Sequence, residues 1–236
     1  MEMNLNKKLK FDIVLADADD TLFDFRYSEE RAFKSTMKYY NVDYSDETYK
    51  MYSEINLSYW KKLERGEITK EQLKRLRYQD LFDRIGVKGI DTYEVNEMFL
   101  SNLSKESKLI DGAFDFVKKL HQYTKIYIIT NGLIKAQTGR LKSSGLEEYV
   151  DGMFISEAIG YSKPSVEYFN YVFDKIDLVD KERIIVLGDS LTSDIQGGKN
   201  AGIATCKFNR DGINVDSDLC DYQINSYDEF FDIIFS

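Results

Sequence analysis

Two aspartates one residue apart, Asp17 and Asp19, follow directly on a short apolar run, 11–16 (FDIVLA). Residues two apart on an extended chain point to the same side, so these carboxylates converge. Converging carboxylates can bind one hard cation and divide two chemical roles between them. A D-x-D pair by itself also fits a surface turn, a piece of a calcium loop, or the metal pair of a glycosyltransferase. The calcium-loop reading fails, because Leu22 stands at the sixth position, where that loop needs glycine. Placement at a strand end, with Thr21 following, favours a site over a turn.

The same logic selects other residues. Asp189 and Ser190 follow the apolar run IIVLG, and Asp194 lies at the start of the next helical stretch. Asp194 reads either as an acid complementing a helix macrodipole or as a metal ligand. Thr130 and Asn131 follow KIYII, and Lys163 lies between two strand–helix units. A hydroxyl and an ammonium can both hold phosphoryl oxygens. Taken singly, Thr130 is an ordinary strand-end residue and Lys163 an exposed lysine. In open α/β sheets ligands bind at the carboxyl ends of the strands, and that rule gathers Asp17, Asp19, Asp20, Thr130, Asn131, Asp189 and Ser190 into one place.

The elements that must position them follow from pattern. Apolar runs at 11–16, 125–129, 153–155, 184–187, 203–208 and 222–224 read as strands. They alternate with helical stretches at 113–120, 133–144, 165–176 and 193–201, and Ser226 with Glu229 opens a last helix. This alternation predicts an α/β fold with a Rossmann-like parallel sheet flanked by helices. Residues 22–105 show helical periodicity and no strand. Ser28 is a candidate N-cap before Phe33, Met37 and Tyr40, and Asp46 opens a stripe of Tyr52, Ile55, Tyr59 and Leu63. Thr69 and Gln72 suit a capping box, and Asp91 with Glu94 opens a fourth helix. The expected organisation is a core domain of residues 1–21 and 106–236, interrupted by an all-helical domain, 22–105.

Composition excludes several classes. The chain has 236 residues with a formal net charge of -9, and an acidic body repels nucleic-acid polymers. No stretch approaches the roughly 20 apolar residues of a membrane helix. Lys7, Lys8 and Lys10 precede an apolar run that is too short and too polar, with Asp12 inside it, for a signal peptide. Cys206 and Cys220 form no CxxC pair, which suits a reducing cytoplasm. The expectation is a cytoplasmic monomer or small homo-oligomer with no membrane partner. A single histidine, His121, expected at a solvated helix end, excludes a multi-histidine zinc site and makes a Ser/His/Asp triad a poor candidate. Chemistry must come from carboxylates, lysines, hydroxyls or a hard metal.

Together, the strand-D-x-D-x-T start, the strand ending Thr130-Asn131-Gly132, Lys163-Pro164, and Gly188-Asp189 with Asp194 resemble, in order, the four motifs of the haloacid dehalogenase (HAD) superfamily. The resemblance implies that Asp17 attacks phosphorus and forms an aspartyl-phosphate. It implies that Asp19 protonates the leaving alkoxide and then activates water. Mg²⁺ would sit on Asp17, the backbone carbonyl of Asp19, and Asp189, with Asp194 in support. Thr130, the Asn131 backbone and Lys163 would hold the phosphoryl group. Dehalogenases of the superfamily lack an acid at the position of Asp19, so phosphate-ester cleavage is implied rather than halide release. Most capped relatives have glycine where this chain has Asp20.

The segments LADADDTLFDF, ISEAIGYSKP and GDSLTSDIQGGKNAG most resemble bacterial nucleotidases acting on pyrimidine nucleoside monophosphates. The implied substrate is then a small phosphorylated metabolite, a nucleoside 5′-monophosphate. A sugar-phosphate phosphatase, a phosphomutase and a non-catalytic phosphate-binding protein are the alternatives. In that superfamily the helical cap sets the substrate. Here Tyr39, Tyr40, Tyr44, Tyr49, Tyr52, Tyr59 and Trp60 either offer a ring to a nucleobase or fill the bundle core. Lys70, Lys74, Arg75 and Arg77 form either a solvated face or an attractor for an anionic substrate.

Overall fold

Six short apolar segments form one sheet: β1 (Ile13–Asp17), β2 (Lys125–Thr130), β3 (Gly152–Ile155), β4 (Ile184–Gly188), β5 (Ala204–Phe208) and β6 (Tyr222–Ile224). The computed structural model describes residues 8–176, 180–214, 218 and 220–235, so Lys7 lies outside the described residues. The strands run in the order β3-β2-β1-β4-β5-β6, and every pairing is parallel. Strands in such a sheet are buried on both faces, which is why they read as continuous apolar runs rather than alternating ones. Val14, Leu15, Ile128, Ile129, Ile185 and Val186 are all 0 % exposed. The α/β reading of the sequence is borne out.

The helices are α1 (Phe25–Tyr39), α2 (Asp46–Glu64), α3 (Lys70–Ile85), α4 (Thr92–Leu103), α5 (Ala113–Leu120), α6 (Ile134–Ser144), α7 (Ser156–Ile159), α8 (Val166–Lys175), α9 (Gln196–Ala201) and α10 (Tyr227–Ile234). On one face of the sheet, Leu15, Ile129, Ile184 and Val186 join Tyr168, Phe169, Val172 and Phe173 of α8 in a single core cluster. Phe116 of α5 stacks on Tyr227 of α10, with ring centroids 4.6 Å apart. No helix among the described residues is long and apolar enough to cross a membrane.

The chain forms two compact units: Met1–Phe25, Lys108–Ile134 and Ser144–Ser236 make one, and Arg26–Ser107 with Lys135–Ser143 make the other. The first unit contains the sheet. Its two segments that lead to and from the second unit pair with each other. Phe23 bridges Leu109 in antiparallel fashion, Asp24 N donates to Lys108 O at 2.9 Å, and Ile110 N donates to Leu22 O at 3.0 Å.

The second unit is helical. The Thr69–Gln72 capping box forms with both bonds present, and Asp91 accepts from the N–H groups of Tyr93 and Glu94. Ser28 is not the cap expected of it. Helix α1 begins three residues earlier, at Phe25, whose N–H is accepted by the Asp20 carboxylate (3.3 Å), and Ser28 is buried inside the helix. Tyr52 fills the bundle core, stacked on Phe33 at 4.4 Å and on Tyr78 at 5.5 Å, whereas Tyr39 is 63 % exposed. The basic run does not lie on one solvated face. Arg75 is exposed, but Arg77 is buried and donates to Asn56 Oδ1 (2.8 Å) and Asn96 Oδ1 (2.7 Å).

Candidate active site

Strand order reverses about β1, with β2 on one side and β4 on the other. A crevice opens at the carboxyl ends of the strands at such a switch point. Asp17 is the last residue of β1, and Asp189 follows β4 directly. Lys163, in the loop between α7 and α8, reaches between Asp17 and Asp194. Its Nζ lies 2.5 Å from Asp17 Oδ1, 2.7 Å from Asp194 Oδ1 and 3.0 Å from the carbonyl oxygen of Ile129. Lys163 is 2 % exposed, Asp17 7 % and Asp194 1 %, so none of these is a surface charge.

One ammonium faces several carboxylates. Burial alone would push the Lys163 ammonium down, but Asp17 and Asp194 outweigh it and hold Lys163 above its ordinary value, fully charged. Asp17 is driven well above the usual carboxylate range, by burial first and then by the negative charge of Asp194, with Lys163 opposing. Asp189 is pushed up to about 7 by burial, with Asp194 and Asp20 adding to it. Asp17, Asp189 and Asp194 each offer an oxygen within 4.8 Å of the others. The donor set is entirely carboxylate, with no histidine or thiol in it, which suits a hard cation such as Mg²⁺ and not a zinc framework.

The geometry of Asp194 depends on a missing side chain. A Cβ at Gly188 would lie 2.4 Å from Asp194 Cγ, so glycine is required for the carboxylate to pass the end of β4. The wide π turn Leu191–Ile195 carries Asp194, and Ser190 opens it by accepting from Ser193 N at 3.2 Å. Asp194 Oδ2 in turn accepts from Ser190 N at 3.0 Å. Asp194 thus faces the site from a turn, not from a regular first helical turn.

Thr130 and Asn131 end β2 beside β1. The Thr130 side chain is buried, and its Oγ1 accepts from Gly132 N at 3.0 Å. Thr130 N donates to the hydroxyl of Tyr168 (3.2 Å), which donates onward to Phe154 O at 2.7 Å. Asn131 holds the lysine loop by a reciprocal pair: its Nδ2 donates to Lys163 O and its Oδ1 accepts from Lys163 N, both at 2.9 Å. The Asn131 side chain therefore serves the backbone of Lys163. Asp19 is half-buried two residues beyond Asp17 and stands outside the carboxylate trio, with its charge still felt at Asp17.

Three contributors lie beyond the motifs. Tyr168 fixes Thr130 from α8, with no sequence signal to single it out. Lys207 pairs in register with Gly188, and burial lowers its ammonium from the ordinary value although Asp189 and Asp194 oppose this. Its polarity at the end of the run 204–208 was a usable signal. Arg210, just past β5, contacts Asp20 and Asp24.

A family model for haloacid dehalogenase-like hydrolases matches residues 11–202. The HAD-hydrolase YfnB of Bacillus subtilis is 34% identical over 226 residues, covering 95% of this chain and 96% of that protein. Pyrimidine 5′-nucleotidase YjjG of Escherichia coli is 33% identical, with 85% of this chain and 87% of that one covered. Pyrimidine 5′-nucleotidase PynA of Streptococcus pneumoniae is 32% identical, with 95% of each covered. The crystal structure of YfnB bound to magnesium superposes with a TM-score of 0.89 over 95% of this chain and 99% of that one, at 34% identity. With its parallel sheet and strand-end carboxylates, the chain belongs to the haloacid dehalogenase-like hydrolase family.

Proposed function

We propose that this hydrolase is a Mg²⁺-dependent phosphomonoesterase that works through an aspartyl-phosphate on Asp17, with nucleoside 5′-monophosphates, pyrimidine ones foremost, as substrates. The observation that carries the reading is the meeting of Asp17, Asp189, Asp194 and Lys163 at the end of β1 and β4. The substrate class rests on similarity to YjjG and PynA across most of the chain.

Asp17 supplies the oxygen that attacks phosphorus. Lys163 holds that carboxylate in place and offers its ammonium to the phosphoryl oxygens as their charge shifts. Thr130, with its hydroxyl fixed beside β1, donates to the same group, and the Asn131 backbone lies next to it. Asp19 gives a proton to the departing alkoxide and later takes one from the water that splits the aspartyl-phosphate. Asp17, the backbone carbonyl of Asp19 and Asp189 would hold Mg²⁺, with Asp194 braced behind them. The ion would supply charge neutralisation between the attacking carboxylate and the phosphate. The helical unit is assigned as the cap that selects the substrate.

Phosphate release from a panel of nucleotides and sugar phosphates, with and without Mg²⁺, tests this reading. Turnover is expected for nucleoside monophosphates and is abolished in Asp17→Asn. No turnover of any ester, or full turnover in Asp17→Asn, would overturn it. Preference for a sugar phosphate would retain the mechanism and replace the substrate.

A further inference from the structure

Asp20 occupies a backbone conformation with φ 58, in the left-handed region that favours glycine. An aspartate tolerates that region when its short side chain finds partners. Here the carboxylate accepts from Phe25 N at 3.3 Å, and Arg210 Nη1 reaches its Oδ1 at the same 3.3 Å. The guanidinium meanwhile grips Asp24 at two points: Nη1 to Oδ1 at 3.2 Å and Nη2 to Oδ2 at 2.7 Å. Asp24 is 16 % exposed and Asp20 26 % at the side chain, so water screens these charges only in part.

The turn from Ala18 to Phe23, which contains Asp20 and ends next to Asp24, is tight. Leu22 N and Phe23 N both donate to Ala18 O, at 3.0 and 2.8 Å, and Asp20 N donates to Phe23 O at 2.8 Å. Asp19 sits inside this turn. Without Arg210, two carboxylates would face each other across it, and Asp189 would add a third negative charge nearby. A planar guanidinium holds Asp24 through two nitrogens while one of them reaches Asp20, a rigid fork that the single nitrogen of an ammonium does not reproduce.

We propose that Arg210 is a positioning residue for the reaction: by clamping Asp20 to Asp24 from the segment that follows β5, it keeps the turn that carries Asp19 in one conformation. Asp20 and Arg210 then act as a pair, doing by ionic contact what glycine does by conformational freedom. The inference rests on the assignment of Asp19 as acid and base.

The test compares wild type, Arg210→Ala, Arg210→Lys and the double variant Asp20→Gly/Arg210→Ala, by steady-state hydrolysis with Mg²⁺ and by amide hydrogen exchange. Arg210→Ala is expected to lower kcat about tenfold or more, as small misplacements of catalytic groups do, with KM changed by less than about threefold. Arg210→Lys recovers little of this. The double variant regains most of the lost kcat, since glycine takes the left-handed conformation with no carboxylate to balance. Amides of residues 20–25 exchange faster in Arg210→Ala, while those of β4 do not. A rise in KM with kcat intact would assign Arg210 to substrate contact and overturn the proposal. So would a double variant no better than Arg210→Ala, or unchanged exchange at residues 20–25. If wild type cleaves no ester, the phosphatase reading fails by itself, and exchange in Arg210→Ala still decides the clamp.

Discussion

Lys163 Nζ lies 2.5 Å from Asp17 Oδ1, and the same nitrogen lies 2.7 Å from Asp194, so one buried ammonium holds apart two buried carboxylates. Removing it leaves like charges facing each other where water cannot screen them. Lys163→Met keeps the volume and deletes the charge. It is expected to cost about 3 kcal/mol of stability at pH 8 without metal, the scale for breaking a buried pair by removing one partner. The cost is expected to be smaller at pH 5 than at pH 8, because burial favours the neutral form of Asp17. Hydrolysis falls by about a hundredfold or more, since a donor to the phosphoryl group is lost. Urea unfolding at both pH values, with turnover alongside, checks this. Adding Asp17→Asn should restore stability and not turnover.

A second prediction concerns the closest approach in the site. Gly188→Ala would place a methyl carbon 2.4 Å from Asp194 Cγ, in the path of the carboxylate. Overpacking of this kind costs about 1–3 kcal/mol. Asp194 would be displaced from both Lys163 and Asp189. The expected outcome is Mg²⁺ affinity reduced by about tenfold or more, in the range seen when support of metal ligands is lost. Calorimetric titration of Mg²⁺ measures it. Unchanged affinity would show that Asp194 does not support the ion.

The weakened acidity of the buried carboxyl groups sets a pH dependence. Asp189 moves from 3.8 to about 7, so between those values the native protein binds more protons there than the unfolded chain does. Stability from this group therefore falls as pH rises through that window. A cation among the carboxylates reverses the penalty, and protons compete with it. The gain in Tm on adding Mg²⁺ should be small near pH 5 and should grow toward pH 8. A gain independent of pH would mean that these carboxylates do not hold the ion.

The parts legible in the sequence were those in which one residue type marks one backbone event. Buried parallel strands appear as apolar runs, and the polar residue that ends each run falls at the ligand-binding edge. That rule selects Asp17, Thr130 and Asp189; the structure brings the carboxylates of Asp17 and Asp189 within 4.8 Å and sets Thr130 at the end of the neighbouring strand. Lys163 was legible only through its motif, because nothing local tells a buried lysine from an exposed one. Helix starts were less secure. Thr69 capped as expected because cap and helix are neighbours in sequence. Helix α1 starts at Phe25 because a carboxylate five residues upstream accepts its first N–H, and no local rule anticipates that. Lys207, Arg210 and Tyr168 come to the site from β5, the turn after it, and α8. Lys207 leaves a signal as a polar residue near the end of an apolar run, whereas the contacts of Arg210 and Tyr168 arise from packing alone.

Arg77 shows the same limit inside the helical unit and gives a prediction there. In sequence it belongs to a basic run with Lys74 and Arg75, yet it ends a buried polar chain. Tyr49 Oη donates to Glu29 Oε2 (3.3 Å), Asn56 Nδ2 donates to Glu29 Oε1 (2.6 Å), and Arg77 donates to Asn56 and Asn96. The guanidinium also lies 4.9 Å from the Tyr78 ring and 5.1 Å from that of Phe99, a cation–π arrangement on two sides. Glu29 is 4 % exposed, so its carboxylate relies on this chain for its charge balance. Arg77→Met should destabilise the unit by about 3–5 kcal/mol, because it removes a buried cation that Asn56 links to Glu29 and leaves Asn56 and Asn96 without its donors. Glu29→Gln/Arg77→Met should recover much of that loss, since a neutral amide can still bond to Asn56 and Tyr49. Hydrogen exchange of amides in α2 and α3 reads this unit directly. Equal protection in wild type and Arg77→Met would mean that packing of Tyr52, Tyr78 and Phe99 holds the bundle without the charge chain.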